Sequence, residues 1–257
     1  MKKQLAFLVC ICLLISSCIG CAKKESNKET MLVLAAASLT DVLLELKEVY
    51  EQEQSQYGIE YSFDSSGTCK MQIEQGVNAD IFLSASSLPV TELVTKGLLL
   101  KSSVIDLLSN DIVLIAKTDC NDRIDSFEEI AKTDQVSMVA TCMPEVPIGQ
   151  YTSQIYDSLN LKNEFDKKAI YASNVRQVLE WVSSGNVPYG IVYSTDATIN
   201  NDVTVCAVAD SSLYEQVLYQ AAILATSSKQ EAAKDFLAFL QSDTAKEIFI
   251  SYGFEVV

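Results

Sequence analysis

Residues 32–37 form an uninterrupted apolar run, long enough for one buried strand. At Ser38 the period changes. Leu39, Val42, Leu43, Leu46, Val49 and Tyr50 recur at helical spacing and predict one apolar helix face. Ser38 stands at the N-cap position, with Asp41 three residues on at capping-box spacing. A strand feeding a capped helix leaves unpaired N–H groups and a positive dipole end at the carboxyl edge of a sheet, which suits an anion. Every βα unit has one such turn, so the device gains meaning only by repetition.

The chain repeats it. Tyr57–Asp64 alternates as a strand, and Ser65-Ser66-Gly67-Thr68 follows, with Ser66 at the cap of a helix running through Met71 and Ile73 to Gly76. Residues 78–85 predict a third buried strand and 89–97 a helix. Ser109-Asn110 reads as a turn before a strand over 111–116 that crosses into a second lobe. There the pattern starts afresh. Residues 136–140 predict a strand, and 144–149 a turn leading into a helix with Ile148, Tyr151, Ile155 and Leu159 on one face. Ala169–Ala172 is a short strand. Ser173-Asn174 caps a helix that points Val175, Val178, Leu179 and Val182 inward and stops at Gly185. Strands over 187–193, Val203–Val208 and 218–225 and helices over 229–240 and 243–252 complete an α/β pattern with largely parallel sheets. Four turns, at Ser38, Ser66, Pro147-Ile148 and Ser173-Asn174-Val175, thus offer hydroxyls and backbone N–H groups, two in each half. None has a Lys or Arg at its tip; Arg176 is nearest and reads as a structural ion pair.

Ahead of this pattern lie Lys2 and Lys3, an apolar run from Leu5 to Ile15, then Ser16, Ser17 and Cys18. That is the layout of a signal peptide over 1–17, not of a membrane span. Ile15-Ser16-Ser17-Cys18 resembles a bacterial lipobox with Cys18 as the lipidated residue; Cys21 is the weaker alternative. The polar stretch over 18–30 is then a tether. Cleavage removes Lys2 and Lys3 and takes the formal charge from −15 to −17, against nucleic-acid binding. Four of the eight cysteines lie in the signal and anchor; Cys69, Cys120, Cys142 and Cys206 remain, as buried thiols or with one bridge. The chain has no histidine, which excludes His-dependent nucleophilic catalysis and His metal ligands.

From about Met31 onward the chain resembles the substrate-binding proteins of molybdate ABC transporters. The residues that carry the resemblance are AAASLTD (35–41), SSGT…QIEQG…ADIFLSA (65–85), VPIGQY (146–151), NVRQVLEWVSSG (174–185), GIVYSTDA (190–197) and IFISYGF (248–254). It implies a two-lobed periplasmic-binding-protein type II fold, each lobe a mixed, mostly parallel sheet flanked by helices with a cleft between. Residues 31–110 and 218–257 would form lobe I and 111–217 lobe II. It implies a monomeric extracytoplasmic binding protein that captures molybdate, and tungstate with it, for an ABC permease, with no enzymatic activity and no cofactor; the lipobox adds the lipid anchor. Carried over by position, Ser38 and Ser66 give hydroxyls, Ile148 and Val175 backbone amides, and Tyr193 a phenol. Two departures bear on affinity: Ile148 stands where a small residue is usual and would crowd the cleft, and Gly67 replaces a serine of some relatives and would loosen its turn.

Two alternatives follow from the residues. The same fold could bind another ligand, such as sulfate or an iron complex, and Asp64 beside Ser65 could accept a proton from an anion, though it is expected to face solvent. Lys70, four residues after Ser66 on one helical face, raises a Ser–Lys hydrolase dyad.

Overall fold

A computed structural model describes residues 29–53, 56–120 and 124–257. The expected signal peptide, Cys18 and Cys21 lie outside the described residues. The chain runs β1 (Glu29–Ala36), α1 (Thr40–Glu53), β2 (Tyr57–Asp64), α2 (Ser66–Glu74), β3 (Ile81–Ser84), α3 (Ser87–Thr95) and β4 (Ile105–Asn110). It continues through β5 (Ile112–Lys117), α4 (Phe127–Lys132), β6 (Val139–Cys142), α5 (Pro147–Ser158), α6 (Lys162–Asp166), β7 (Ala169–Ala172), α7 (Val175–Ser183) and β8 (Tyr189–Tyr193). It ends with α8 (Ser194–Thr198), β9 (Val203–Val208), β10 (Val217–Ile223), α9 (Gln230–Leu240), α10 (Asp243–Ser251) and β11 (Glu255–Val256).

The strands form two mixed sheets flanked by helices, ordered β11-β4-β10-β3-β1-β2 and β7-β6-β8-β5-β9. Parallel pairing is confined to β3-β1-β2 in the first and β7-β6-β8 in the second. The antiparallel pairings all involve strands next to the two chain crossings, β4 to β5 and β9 to β10, or the closing strand β11. Within each parallel set the strands end level: Ala36 pairs with Asp64, and Cys142 with Ala172. The turns that follow therefore emerge side by side at the carboxyl edges, where open α/β sheets bind ligands.

The predicted apolar face of α1 is buried. Leu39, Val42, Leu43, Leu46 and Tyr50 are each 2 % exposed or less. At about 1.5–3 kcal/mol per buried aliphatic side chain, this face fixes α1, and the turn before it, against the first sheet. Tyr50 packs edge-on against Phe236 of α9, centroids 5.0 Å apart. In the second half α7 buries Val175, Val178, Leu179 and Val182.

Ser109 and Asn110 are not a turn. They end β4, paired with Leu218 and Val217 of β10, and Asp111 alone separates β4 from β5. Their polar side chains suggested a turn, but both are spent on partners: Ser109 donates to Glu255 (3.0 Å), and Asn110 sits in a buried network. The helices α4 and α6 were not foreseen because each is too short to show a period.

Candidate functional site

The β1–α1 turn is a single 3-10 turn over Ala37–Leu39, and its N-cap is Ala36, without a side-chain cap bond. Ser38 is therefore not a cap. Its Oγ lies 2.9 Å from the hydroxyl of Tyr219, on β10. The second turn corrects the sequence reading by one residue. Ser65 is the N-cap of α2, accepting from the Thr68 N–H at 3.0 Å. This leaves Ser66 at the first helical position, where its Oγ accepts from the Ala85 N–H at 2.9 Å. An oxygen that accepts from behind keeps its own proton to donate forward.

In the third turn Pro147 occupies the first position of α5 and Ile148 follows. Gly149 makes the close seating possible: a Cβ there would lie 2.2 Å from the Met143 carbonyl oxygen. In the fourth, Asn174 caps α7 by accepting from Gln177 N (3.1 Å), and Val175 is the first helical residue. Both Ile148 and Val175 thus carry N–H groups that helix geometry leaves without an intrahelical acceptor.

All five residues singled out by the sequence, Ser38, Ser66, Ile148, Val175 and Tyr193, line one cavity between the two sheets. Its volume is about 20 Å³. A single water needs roughly 10–15 Å³, so the space as it stands has no room for an organic molecule. None of the lining residues carries a charge. Tyr193 is 2 % exposed and its hydroxyl has no hydrogen-bond partner among the described residues. Burial, then the neighbouring Tyr219, Tyr151 and Asp196, push its pKa well above the usual phenol value, so it keeps its proton and can only gain by donating. A buried, unpaired donor is costly, about 1–3 kcal/mol, and Tyr193 is one of the residues that line the cavity.

The charges lie behind the site. Arg176 reaches from α7 to both halves: Nη2 is 2.7 Å from Asp41 Oδ2 and 3.3 Å from the Ser38 carbonyl, and Nε is 2.9 Å from Asp196 Oδ1. Asp196 is fully buried, and burial pushes its carboxyl up to about 6, with Arg176 pulling it back. Asp64 does not line the cavity. It is half-buried and accepts from Ser65 N at 2.7 Å. Lys70 is held by Glu92 and Glu74, and its pKa is raised chiefly by Glu92, so it stays protonated and cannot serve Ser66 as a base. Cys69 and Cys142 are buried thiols, Cys69 pushed by burial up to about 12.

Gly67 does not loosen its turn. It approaches the opposite half so closely that a Cβ would lie 2.4 Å from the Glu145 carbonyl oxygen. The larger hollow at the cleft mouth, about 670 Å³, is lined by Thr68, Met71, Leu88 and Met143.

The family model for bacterial extracellular solute-binding proteins matches residues 31–255. The chain belongs to that family. Members bind solutes and do not turn them over. The solute-binding protein is 33 % identical over 241 residues to YvgL of Bacillus subtilis, carried under the name of an ABC transporter substrate-binding lipoprotein, covering 91 % of this chain and 92 % of that one. It is 34 % identical over 228 residues to the molybdate-binding protein ModA of Haemophilus influenzae, covering 86 % and 88 %. A solved substrate-binding domain assigned to a molybdenum ABC transporter of Clostridium difficile is 32 % identical, with a TM-score of 0.69 over 90 % of this chain and 100 % of that one.

Ser65, on the cavity wall, and Tyr219 and Asn110, behind Ser38, are not singled out by the sequence reading, which does give Asn174 as the cap of the fourth turn. Ser65 has a local signal, since it precedes its helix by one residue. Tyr219 has none: a tyrosine in an apolar strand reads as core.

Proposed function

We propose that this solute-binding protein captures molybdate, and tungstate with it, outside the cytoplasm and delivers it to an ABC permease. The observation that carries the reading is the uncharged cavity of about 20 Å³ on which two serine hydroxyls, one unpartnered buried phenol and two helix N-termini converge. A tetrahedral dianion without protons is a pure acceptor, and a wall of neutral donors fits it without a counter-charge. The ModA relatives and the molybdenum-transporter neighbour support molybdate over sulfate. Ser38 and Ser66 on one side and Ile148 and Val175 on the other are the ligand donors, with Tyr193 the fifth. The two lobes, 31–110 with 218–257 and 111–217, close on the ion as a monomer. The chain is anchored through Cys18, or Cys21, by acyl groups; the name of YvgL supports the lipoprotein form.

Calorimetric titration against molybdate, tungstate, sulfate and phosphate tests the reading. Molybdate and tungstate should bind alike, sulfate much more weakly because its smaller ion leaves longer hydrogen bonds, and phosphate negligibly because its proton would face a donor. Sulfate binding as tight as molybdate overturns the assignment.

A further inference from the structure

Behind Ser38 lies a buried chain of polar groups that makes no contact with the cavity. Asn110 Oδ1 accepts from Asp111 N (2.9 Å) and from Ser194 Oγ (2.8 Å). That fixes the amide, so its Nδ2 faces the other way, toward Thr195 Oγ1 (2.9 Å) and the Tyr219 hydroxyl (3.3 Å). The Tyr219 oxygen is thus already accepting. Its own proton goes to its remaining neighbour, Ser38 Oγ, at 2.9 Å. Burial, then the charge of Asp196, raises the Tyr219 pKa, which keeps that proton in place. Ser38 then accepts from behind, as Ser66 accepts from Ala85 N. Its proton is the one left to point forward.

We propose that Tyr219 and Asn110 are positioning residues that set the direction of the Ser38 hydroxyl, and through it the preference of the cleft for anions without a proton. The proposal rests on the oxyanion reading above. Tyr219 joins β10 to the β1 turn, and Asn110 ends β4 at one chain crossing while touching Ser194 and Thr195 of α8. The direction of one hydroxyl is thus tied to the strands on which the lobes would hinge. Without the phenol, Ser38 can rotate and offer a lone pair, which a protonated anion can use and molybdate cannot.

The test is a pair of titrations, molybdate directly and phosphate by competition, on the full-length protein and on Tyr219→Phe. Molybdate should weaken about threefold and phosphate strengthen about threefold, so that the selectivity ratio falls roughly tenfold, the scale of one misdirected hydrogen bond. Asn110→Asp supplies a second variant: a carboxylate has no donor to offer Tyr219, so the chain of protons reverses and the ratio falls further. Each variant is repeated in a Ser38→Ala background. There the effect on the ratio should vanish, whereas a general loosening of the fold, or the charge that Asn110→Asp adds, would persist. An unchanged ratio in both single variants, or the same change without Ser38, overturns the proposal. If the unmodified protein binds no oxyanion, it is the functional reading that fails.

Discussion

Gly67 is the position at which one added carbon should separate closure from folding. It lies at the second position of α2, directly after Ser66, and its φ is not positive, so alanine is conformationally acceptable. The obstacle is across the cleft. The new Cβ would sit 2.4 Å from the Glu145 carbonyl oxygen and 3.3 Å from its carbon. Both are backbone atoms, and ordinary contact begins near 3.4 Å, so the two sides must part by about 1 Å. Glu145 precedes Val146, Pro147 and Ile148, so the wedge acts between the Ser66 donor and the Ile148 donor. Hydrogen bonds of about 2.8 Å stretched by that amount leave the bonding range. One bond to a charged acceptor is worth about 1.5–3 kcal/mol, so Gly67→Ala should weaken oxyanion binding by at least roughly 10- to 150-fold. Unfolding of the ligand-free protein should hardly change, because opening relieves the clash. Calorimetry gives the first quantity, and small-angle scattering with saturating ligand shows a profile less compact than the unmodified protein's. Full affinity together with a fully compacted profile would refute the steric reasoning.

Ser66→Ala removes a forward donor backed by Ala85 N and should cost roughly 10- to 150-fold in molybdate affinity, while Lys70→Ala, whose ammonium is held by Glu92 and Glu74, should change it little; titration of both checks the ranking. Asp196 has a folded pKa of about 6 against an ordinary 3.8, raised first by burial and lowered by Arg176, with Asp41 beyond the guanidinium. Its proton is thus held more tightly in the folded state, and that stabilisation is complete below pH 3.8 and lost as pH rises through about 6. Relative to Asp196→Asn, the unmodified protein should lose stability between those values and run parallel above them; denaturation midpoints measured across the range decide it. Cys18→Ala should release or misprocess the protein, since stable retention needs the acyl chains at that site; membrane retention and lipid labelling that survive it but not Cys21→Ala would move the anchor to Cys21.

The sequence made the fold legible wherever period and burial coincide. The α1 face and the α7 stripe are legible from spacing because each buries one face against a sheet, and the strand Tyr57–Asp64 from its alternation, although only Gly58 and Ile59 of it are buried. What stayed hidden is what depends on partners distant in sequence. Ser38 and Ser66 read as caps in the sequence, yet neither is one, and their hydroxyls are bound by Tyr219 and by Ala85 N, which no local pattern reveals. Asn110 reads as a turn residue by composition and is instead a buried junction among β4, β10 and α8. Gly67 reads as flexibility and is a close approach, because a missing side chain carries no sign of what it makes room for. The five candidate donors were found by resemblance to a family; turn chemistry supplied four of them as anion sites, and Tyr193 needed the comparison.

Where an oxyanion sits, and what touches it, can be seen directly. Crystals grown with tungstate and measured at the tungsten edge locate the ion without ambiguity. The result expected is one anomalous peak in the cavity between the β1, β2, β6 and β7 turns, its oxygens within hydrogen-bond distance of Ser38 and Ser66 Oγ, the Ile148 and Val175 N–H groups and the Tyr193 hydroxyl. A peak at the outer hollow near Met71 and Met143, or one coordinated by Arg176 or Lys70, would contradict it.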